Sequence, residues 1–340
     1  QGGKTGFGAT LHSVKGQRGR VTIPNEEEAR RYETELEGAA YKIAEVRKRD
    51  VRQRPAAPFT TSTMQQEAGR KLRYAAQRTM VIAQQLYEGI DVGVDGSTGL
   101  ITYMRTDSFR ISPEALGATR NFIKDTYGKN YLPRSARVFG SKKKRVQDAH
   151  ETIRPTNIAR TPELMASFLD KDQLRFYSLV WQRFVACQMA NQISDRTTLE
   201  ISSDDKKYLF KLTASAIKFD GWRKVFKIAQ KDEDGPTIPP GLSDGDAVNL
   251  LKIEPNQHFT KPPAHYNESS LIKILDELGI GRPSTYASII SVLRDRKYVE
   301  TDKKRTMIPT EIGQEVNKVL VGCFPDLFNT QFTATMEDGL

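Results

Sequence analysis

The sequence predicts a multidomain α+β protein in which a helical domain is inserted into an antiparallel β domain. Three observations predict it. The chain has 340 residues, more than one ordinary core holds. Strand-like, period-two pieces stand before residue 58 and again after residue 190, with helical periodicity between them. Proline-rich joints, Pro55-Ala56-Ala57-Pro58 and Lys261-Pro262-Pro263, mark changes of pattern. The division expected is 1–58 as the first part of the β domain, 59–190 as the helical domain, 191–255 as the second β part and 256–340 as a winged-helix-like domain.

The elements follow in order. Gly8 to Val14, Arg20 to Ile23 and Tyr41 to Val46 read as strands, with a polar helix from Asn25 to Leu36 after Pro24. The basic run Arg47, Lys48, Arg49, Arg52, Arg54 leads into the first joint. Ser62-x-x-Gln65 has capping-box spacing. Met80, Ala83, Leu86 and Tyr87 form a helical stripe, and a Gly/Asp-rich loop spans Gly89 to Gly99. Ser112-Pro113 and Thr161-Pro162 are helix starts with proline at the first position. Gln173 to Ala190 is the strongest helix, carrying Leu174, Tyr177, Trp181, Phe184 and Val185 at core spacing. Leu199 and Ile201, then Tyr208, Phe210 and Leu212, flank Asp204-Asp205-Lys206-Lys207 as a hairpin, and Leu250 to Ile253 reads as a further strand. In the last segment Asn267 caps one helix, Gly279-Ile280-Gly281 turns, Ser284 caps a second helix, and Tyr298 to Ile308 forms a hairpin. Helix, tight turn, helix, hairpin is a winged-helix pattern.

Composition narrows the partners. Apolar residues make up 38% and charged residues 28% of the chain, and the formal net charge is +10. That balance favours a polyanionic partner, nucleic acid before membrane surface. No apolar run reaches the 18 or so residues that span a bilayer, and no signal-peptide pattern opens the chain. The two cysteines, Cys187 and Cys323, lie far apart, match no zinc spacing and read as reduced core thiols of an intracellular protein. The chain opens at Gln1 without an initiator methionine and stops within a helix-like stretch, Thr333 to Leu340. We therefore expect a piece of a larger protein.

Three stretches can carry chemistry. In Leu100-Ile101-Thr102-Tyr103-Met104-Arg105, a strand would project Tyr103 and Arg105 to one face and Met104 to the other. A phenol has a pKa near 10, so roughly one part in a thousand is phenolate at neutral pH. A neighbouring guanidinium favours that charged form and can grip a phosphate by two hydrogen bonds. Tyr103 is thus a candidate nucleophile for phosphoryl chemistry; the plain alternative is a strand-edge tyrosine beside a solvated arginine. In Gln147-Asp148-Ala149-His150-Glu151-Thr152-Ile153-Arg154-Pro155, His150 can bond a phosphate oxygen or relay a proton, and Arg154 can clamp a phosphate; the alternative is a structural histidine. Lys142, Lys143, Lys144 and Arg145 just upstream add attraction for a nucleic-acid backbone, unless they form a plain solvated loop. In Gly281-Arg282-Pro283-Ser284-Thr285-Tyr286, Arg282 and the Ser284 and Thr285 hydroxyls converge on a helix N-terminus, a place suited to phosphate; the alternative is a simple turn and cap. Tyrosine recombinases place their tyrosine after Arg and His-x-x-Arg elements. Here Tyr103 precedes His150 and the spacing is His-x-x-x-Arg, which argues against that class.

These residues resemble the bacterial type IA DNA topoisomerases. The resemblance rests on Pro58-Phe59-Thr60-Thr61-Ser62-Thr63, Ile101-Thr102-Tyr103-Met104-Arg105-Thr106-Asp107-Ser108, Ala149-His150-Glu151 with Ile153-Arg154-Pro155, Gln257-His258-Phe259-Thr260-Lys261-Pro262-Pro263, and Gly279 through Ile290. The five segments stand in family order and cover nearly the whole chain. Met104 leans to the topoisomerase I branch rather than to topoisomerase III or reverse gyrase. The resemblance implies that Tyr103 forms a 5′-phosphotyrosyl link and that Arg105 stabilises its phosphate. It makes His150 a contact to a backbone phosphate near the cut, and Arg282 and Thr285 binders of the single strand. The β segments become the arch and residues 256–340 part of the domain lining the DNA groove.

The departures matter as much. The family's magnesium site, with a catalytic glutamate and lysine, belongs to an N-terminal Toprim domain marked by Asp-x-Asp-x-Glu. Here Asp170-x-Asp172, Asp232-x-Asp234 and Asp244-x-Asp246 all lack the glutamate two residues on, and the family's zinc-ribbon cysteines are absent from this sequence. We expect no metal ligand in this chain and magnesium only for the parent enzyme. The implied parent reaction is ATP-independent strand cleavage and rejoining that relaxes negatively supercoiled DNA, by a monomer of the bacterial cytoplasm and its nucleoid. The expectation for this chain alone is inactivity. The alternative is a non-catalytic module that binds single-stranded nucleic acid.

Overall fold

The computed structural model describes residues 6–17, 19, 21–140, 150–227 and 236–339. Along the chain the elements are β1 (Thr10–Val14), α1 (Glu26–Glu37), β2 (Tyr41–Gln53), α2 (Thr61–Lys71), α3 (Ala76–Glu88), β3 (Ile90–Asp91), β4 (Ser97–Thr98), α4 (Pro113–Tyr127), α5 (Pro162–Met165) and α6 (Lys171–Cys187). Then come β5 (Gln192–Ser203), β6 (Tyr208–Phe219), β7 (Ala247–Val248), α7 (Glu268–Leu278), α8 (Tyr286–Asp295), β8 (Val299–Thr301), β9 (Met307–Pro309), α9 (Glu311–Cys323) and α10 (Thr330–Gly339). They fall into two compact units. Unit 1 takes residues 1–54, 191–223 and 227–262; unit 2 takes 55–190, 224–226 and 263–340. Residues 263–340 thus share a unit with the helical stretch that precedes residue 190.

Unit 1 is an antiparallel sheet of order β1-β6-β5-β2-β7. Its long strands β2 and β5 pair from Tyr41↔Ser203 to Gln53↔Gln192. Near the β5–β6 turn one face is apolar, and Tyr41, Ile43, Leu199, Ile201, Tyr208 and Leu212 bury with Tyr32 and Leu36 of α1. Asn25 caps α1 by accepting from the Glu28 N–H at 2.9 Å, and Glu26, Glu27 and Glu28 suit the positive helix end. Further along, β2 carries Arg47, Lys48 and Arg49, all exposed. The basic run expected to lead out of a strand is therefore strand itself, because it continues the β5 ladder. Two expected strands are absent. Residues 21–23 and 250–253 have no strand pairing; the edge position is taken by Ala247 and Val248 instead, and Leu251 is 83% exposed.

Unit 2 is mostly helical. The expected starts at Ser112-Pro113 and Asn267 hold: Ser112 Oγ accepts from the Ala115 N–H, and Asn267 forms a capping box with Ser270. Gly279 ends α7 in the left-handed region at φ 74°. The capping box expected at Ser62–Gln65 is displaced by two residues to Thr60–Thr63. Within the last segment α7, α8 and the β8–β9 hairpin follow the winged-helix order. Ile272, Tyr286, Ile290 and Met307 bury with Ala76 of α3. Cys187 is buried, but Cys323 is exposed on α9 rather than a core thiol. No helix among the described residues is long and apolar enough to cross a membrane.

Candidate active site

The tyrosine segment is not a regular strand. Ile101 makes one bridge to Pro155, and the chain bends at Met104 and Arg105. The alternation survives locally: Leu100, Ile101 and Met104 are buried, Tyr103 is half-buried and Arg105 is exposed. Hydrogen bonds to the His150 segment fix the register. The Thr102 N–H donates to the Arg154 carbonyl at 2.9 Å, the Thr156 N–H to the Leu100 carbonyl at 3.0 Å, and Thr102 Oγ1 to the Thr152 carbonyl at 2.7 Å. On the other side of the bend, fully buried Thr61 at the start of α2 holds the chain. Its hydroxyl donates to the Met104 carbonyl at 2.7 Å and accepts from the Thr106 N–H at 2.8 Å, while its own N–H donates to the Thr106 carbonyl at 2.8 Å.

These clamps bring Tyr103 and His150 together. Their ring centroids lie 4.8 Å apart, and Tyr87 of α3 packs on the other ring contact of Tyr103 at 5.4 Å. Arg105 has no hydrogen-bond or ion-pair partner among the described residues. Arg154, in contrast, is occupied. Its Nε pairs with Glu151 Oε2 at 2.7 Å and its Nη1 donates to the Pro155 carbonyl at 3.0 Å. Burial pushes the Glu151 carboxyl up, but the hydrogen bond and charge of Arg154, the Ser112 N–H and the charge of Arg110 outweigh it and hold that carboxyl below its ordinary range. Arg154 therefore enters the site chiefly as a brace of the His150 segment.

The Gly281–Tyr286 turn differs from its expected form. The helix cap is Thr285, not Ser284, because α8 starts at Tyr286; the Thr285 hydroxyl turns back to accept from the Arg282 N–H at 2.8 Å. The first turn of α8 consequently has no side-chain cap, and Ser284 is exposed. Arg282 lies against Glu337 of α10, with Nε 3.5 Å from its carboxylate and Nη2 bonded to its carbonyl. Gly281 has φ +79°, and a Cβ there would meet Ile289 Cδ1 at 3.1 Å. Behind the turn, the Tyr286 hydroxyl donates to Asp276 Oδ1 at 3.1 Å and Ser62 Oγ to Asp276 Oδ2 at 3.0 Å. Burial, then the Asp276 charge and hydrogen bond, push the Tyr286 phenol far up, and the charge of Asp107 adds to this. Thr61, Tyr87, Glu151, Asp276 and Glu337 were not singled out as site residues from sequence. Thr61 and Glu151 stood inside quoted motifs, and for Thr61 the polar run before a helix was a signal.

Lys142, Lys143, Lys144 and Arg145 lie outside the described residues. So does Asp232-x-Asp234. The other two acidic pairs have local roles: Asp170 caps α6 and Asp172 binds Arg78 and Tyr74, while Asp244 accepts from the Val46 N–H and Asp246 from the Ser243 N–H. No group of three or more His, Cys, Asp or Glu suited to a metal ion occurs among the described residues.

Comparison with known proteins bears on this geometry. The family model described as DNA topoisomerase matches residues 5–340. The chain belongs to the bacterial DNA topoisomerase family. The DNA topoisomerase 1 of Rickettsia felis is 46% identical over 338 residues, which cover 98% of this chain and 43% of the relative. That of Rickettsia prowazekii is 45% identical with the same coverage. The chain therefore spans less than half the length of these topoisomerases. Full-length topoisomerase I of Thermotoga maritima superposes with a TM-score of 0.80 at 35% identity, over 96% of this chain and 52% of that one. Unit 1 and unit 2 are thus folded in the topoisomerase I manner, with helices and antiparallel sheet combined as the sequence predicted.

Proposed function

We propose that this chain is the tyrosine-bearing portion of a type IA topoisomerase that cuts and rejoins one DNA strand. The Tyr103 oxygen attacks a backbone phosphorus, a 5′-phosphotyrosyl bond forms, and the bond to the 3′ oxygen breaks. That oxygen leaves as a hydroxyl and later reverses the attack. One phosphoester replaces another, so the cycle needs no ATP. Arg105 and His150 stabilise the charge that develops on the phosphate oxygens. The uncapped start of α8, with Arg282, Ser284 and Thr285, holds the strand backbone. Single-stranded and negatively supercoiled DNA are the substrates, and a monomer of the bacterial cytoplasm is the acting form.

The observation that carries the reading is the ring contact of His150 with Tyr103, two residues from an Arg105 that has no partner among the described residues. Magnesium does not fit the described residues here. Glu151, in the motif with His150, is bound to Arg154, and no group of three or more His, Cys, Asp or Glu among the described residues could hold the ion. No step above runs through a metal, and we assign the magnesium ligands and the acid that protonates the leaving oxygen to the part of the relatives outside the matched region. On this reading the chain binds single-stranded DNA but does not relax plasmid.

The test is a labelled single-stranded oligonucleotide that traps the covalent adduct after cleavage by the chain joined to the remainder of its protein. The adduct should map to Tyr103 and vanish in Tyr103→Phe. Adduct formation that persists in Tyr103→Phe would sink the assignment. Arg105→Ala should slow trapping by about 10²- to 10³-fold, the usual loss for one transition-state donor, with single-strand affinity little changed.

A further inference from the structure

Unit 1 contains a cavity of about 750 Å³ at the β5–β6 turn end of the sheet. Lys15, Lys42, Lys206 and Lys207 line it, with Gly16 and Ser202, and no carboxylate of the described residues does. Two turns build its rim. One carries Gly16 at φ +92°, the other Lys206 at φ +56°, and the Lys15 N–H ties them by donating to the Lys207 carbonyl at 2.8 Å.

The four ammonium groups are not equivalent. Lys42 is 3.3 Å from Asp204 and Lys207 is 2.6 Å from Glu35, and both acids stand outside the lining. Those contacts fix two charged arms at the wall. The Lys15 and Lys206 side chains have no partner among the described residues, and both are exposed. Two uncompensated cations in one concavity repel each other, so the arrangement favours a multiply charged anion between them. Ammonium groups act as point charges and suit phosphate without demanding one orientation. The volume lies in the range of small-molecule sites. The aromatic ring in the lining, Tyr208, is 3% exposed, so no open aromatic face is offered to a base.

We propose that this cavity is a polyphosphate site, taking two or more adjacent phosphoryl groups as inorganic pyrophosphate or the diphosphate of a nucleotide, with little discrimination between bases. The inference does not rest on the strand-cleavage reading, because every residue in it belongs to unit 1 and Tyr103 belongs to unit 2.

The experiment is calorimetric titration of the whole chain with pyrophosphate, ADP and GDP in parallel. Saturable binding at a single site is expected for pyrophosphate, with ADP and GDP within a few-fold of each other. Lys15→Gln with Lys206→Asn should weaken it at least about tenfold. Asparagine tolerates the left-handed backbone at 206, and an unchanged circular dichroism spectrum establishes that the variant folds. Lys218→Gln, on the same sheet but outside the cavity, should leave binding unchanged. Strong preference for ADP over both GDP and pyrophosphate would identify base recognition and overturn the proposal. So would absence of saturable pyrophosphate binding, or equal binding by the double variant. If a single-stranded oligonucleotide binds in a Lys15- and Lys206-dependent way while pyrophosphate does not, the cavity is a nucleic-acid backbone contact and the proposal fails.

Discussion

Thr61 holds both sides of the bend that presents Tyr103, with one hydroxyl and one N–H. Thr61→Val keeps the shape and removes the hydroxyl, leaving the Thr106 N–H and one Met104 carbonyl lone pair buried without that partner. The cost expected is about 1–3 kcal/mol, read as a lower urea midpoint, together with slower Tyr103 adduct formation. An unchanged midpoint would show that the bend does not depend on Thr61. A second residue-scale effect lies away from the nucleophile. Lys71 Nζ sits 3.5 Å from the centre of the Phe226 ring, which Arg183 also covers at 4.9 Å. Burial lowers the Lys71 pKa to about 8, against a raising effect of Glu67 and with help from the charges of Arg70 and Arg183. The unfolded chain keeps the ordinary value near 10.4. Below about pH 8 both states are protonated and the fold bears the whole desolvation cost; between the two values only the unfolded chain binds the proton, so stability rises with pH. Lys71→Met removes this titration. The difference in urea midpoint between Lys71→Met and the parent should therefore shift in favour of the parent between pH 7 and pH 10, and a difference constant with pH would refute the assignment.

At the scale of elements, close backbone approach does what side-chain patterns do not announce. A Cβ on Gly99 would stand 2.7 Å from the Tyr87 carbonyl, where α3 ends and the segment leading to Tyr103 begins. Gly99→Ala must push those two backbones apart. It should lower the melting temperature and weaken Tyr103 trapping, whereas Gly117→Ala, with nothing within 4 Å of its Cβ, should do neither. The helices of unit 2 were legible because their signals are local: Ser112-Pro113 and Asn267 stand where the caps form. The inward turn of Met104 between half-buried Tyr103 and exposed Arg105 was also legible, since Met104 is apolar. What the sequence missed depends on partners distant in the chain. The Arg47–Arg49 run reads as a charged lead into the Pro55–Pro58 joint until β5 supplies its ladder. Ser284 reads as a cap until the Thr285 hydroxyl is found bonded to the Arg282 N–H. Arg154 reads as a free phosphate clamp until the fold turns it onto Glu151 three residues back and onto the Pro155 carbonyl.

Across the whole molecule, paired and unpaired positive charge stand in both units. In unit 1, much of it is answered locally: Lys207 by Glu35, Lys42 by Asp204, Lys211 by Glu200 and Lys218 by Asp50. In unit 2, Arg154 is answered by Glu151 and Arg282 by Glu337, while Arg105, two residues from the candidate nucleophile, has no partner among the described residues. The net charge of +10 therefore overstates how many phosphates the chain neutralises, because paired cations have already lost part of their attraction for an anion. Salt dependence separates paired from available charge. For single strands the logarithm of affinity falls with the logarithm of salt with a slope of about −0.7 for each phosphate neutralised. If Lys142, Lys143, Lys144 and Arg145 bind the backbone as a group, replacing all four by alanine should make the slope shallower by nearly 3 units, about four times that increment. Removal of the Arg105 charge alone should change it by less than 1 unit. Lys218→Ala, whose ammonium already lies 3.2 Å from Asp50, should leave the slope where it was. Fluorescence anisotropy of a labelled oligonucleotide at four or more salt concentrations measures all three. Equal slopes for the parent and the fourfold variant would mean that the run between Tyr103 and His150 is a solvated loop, and that strand binding rests on the charges the fold holds around the tyrosine and the α8 turn.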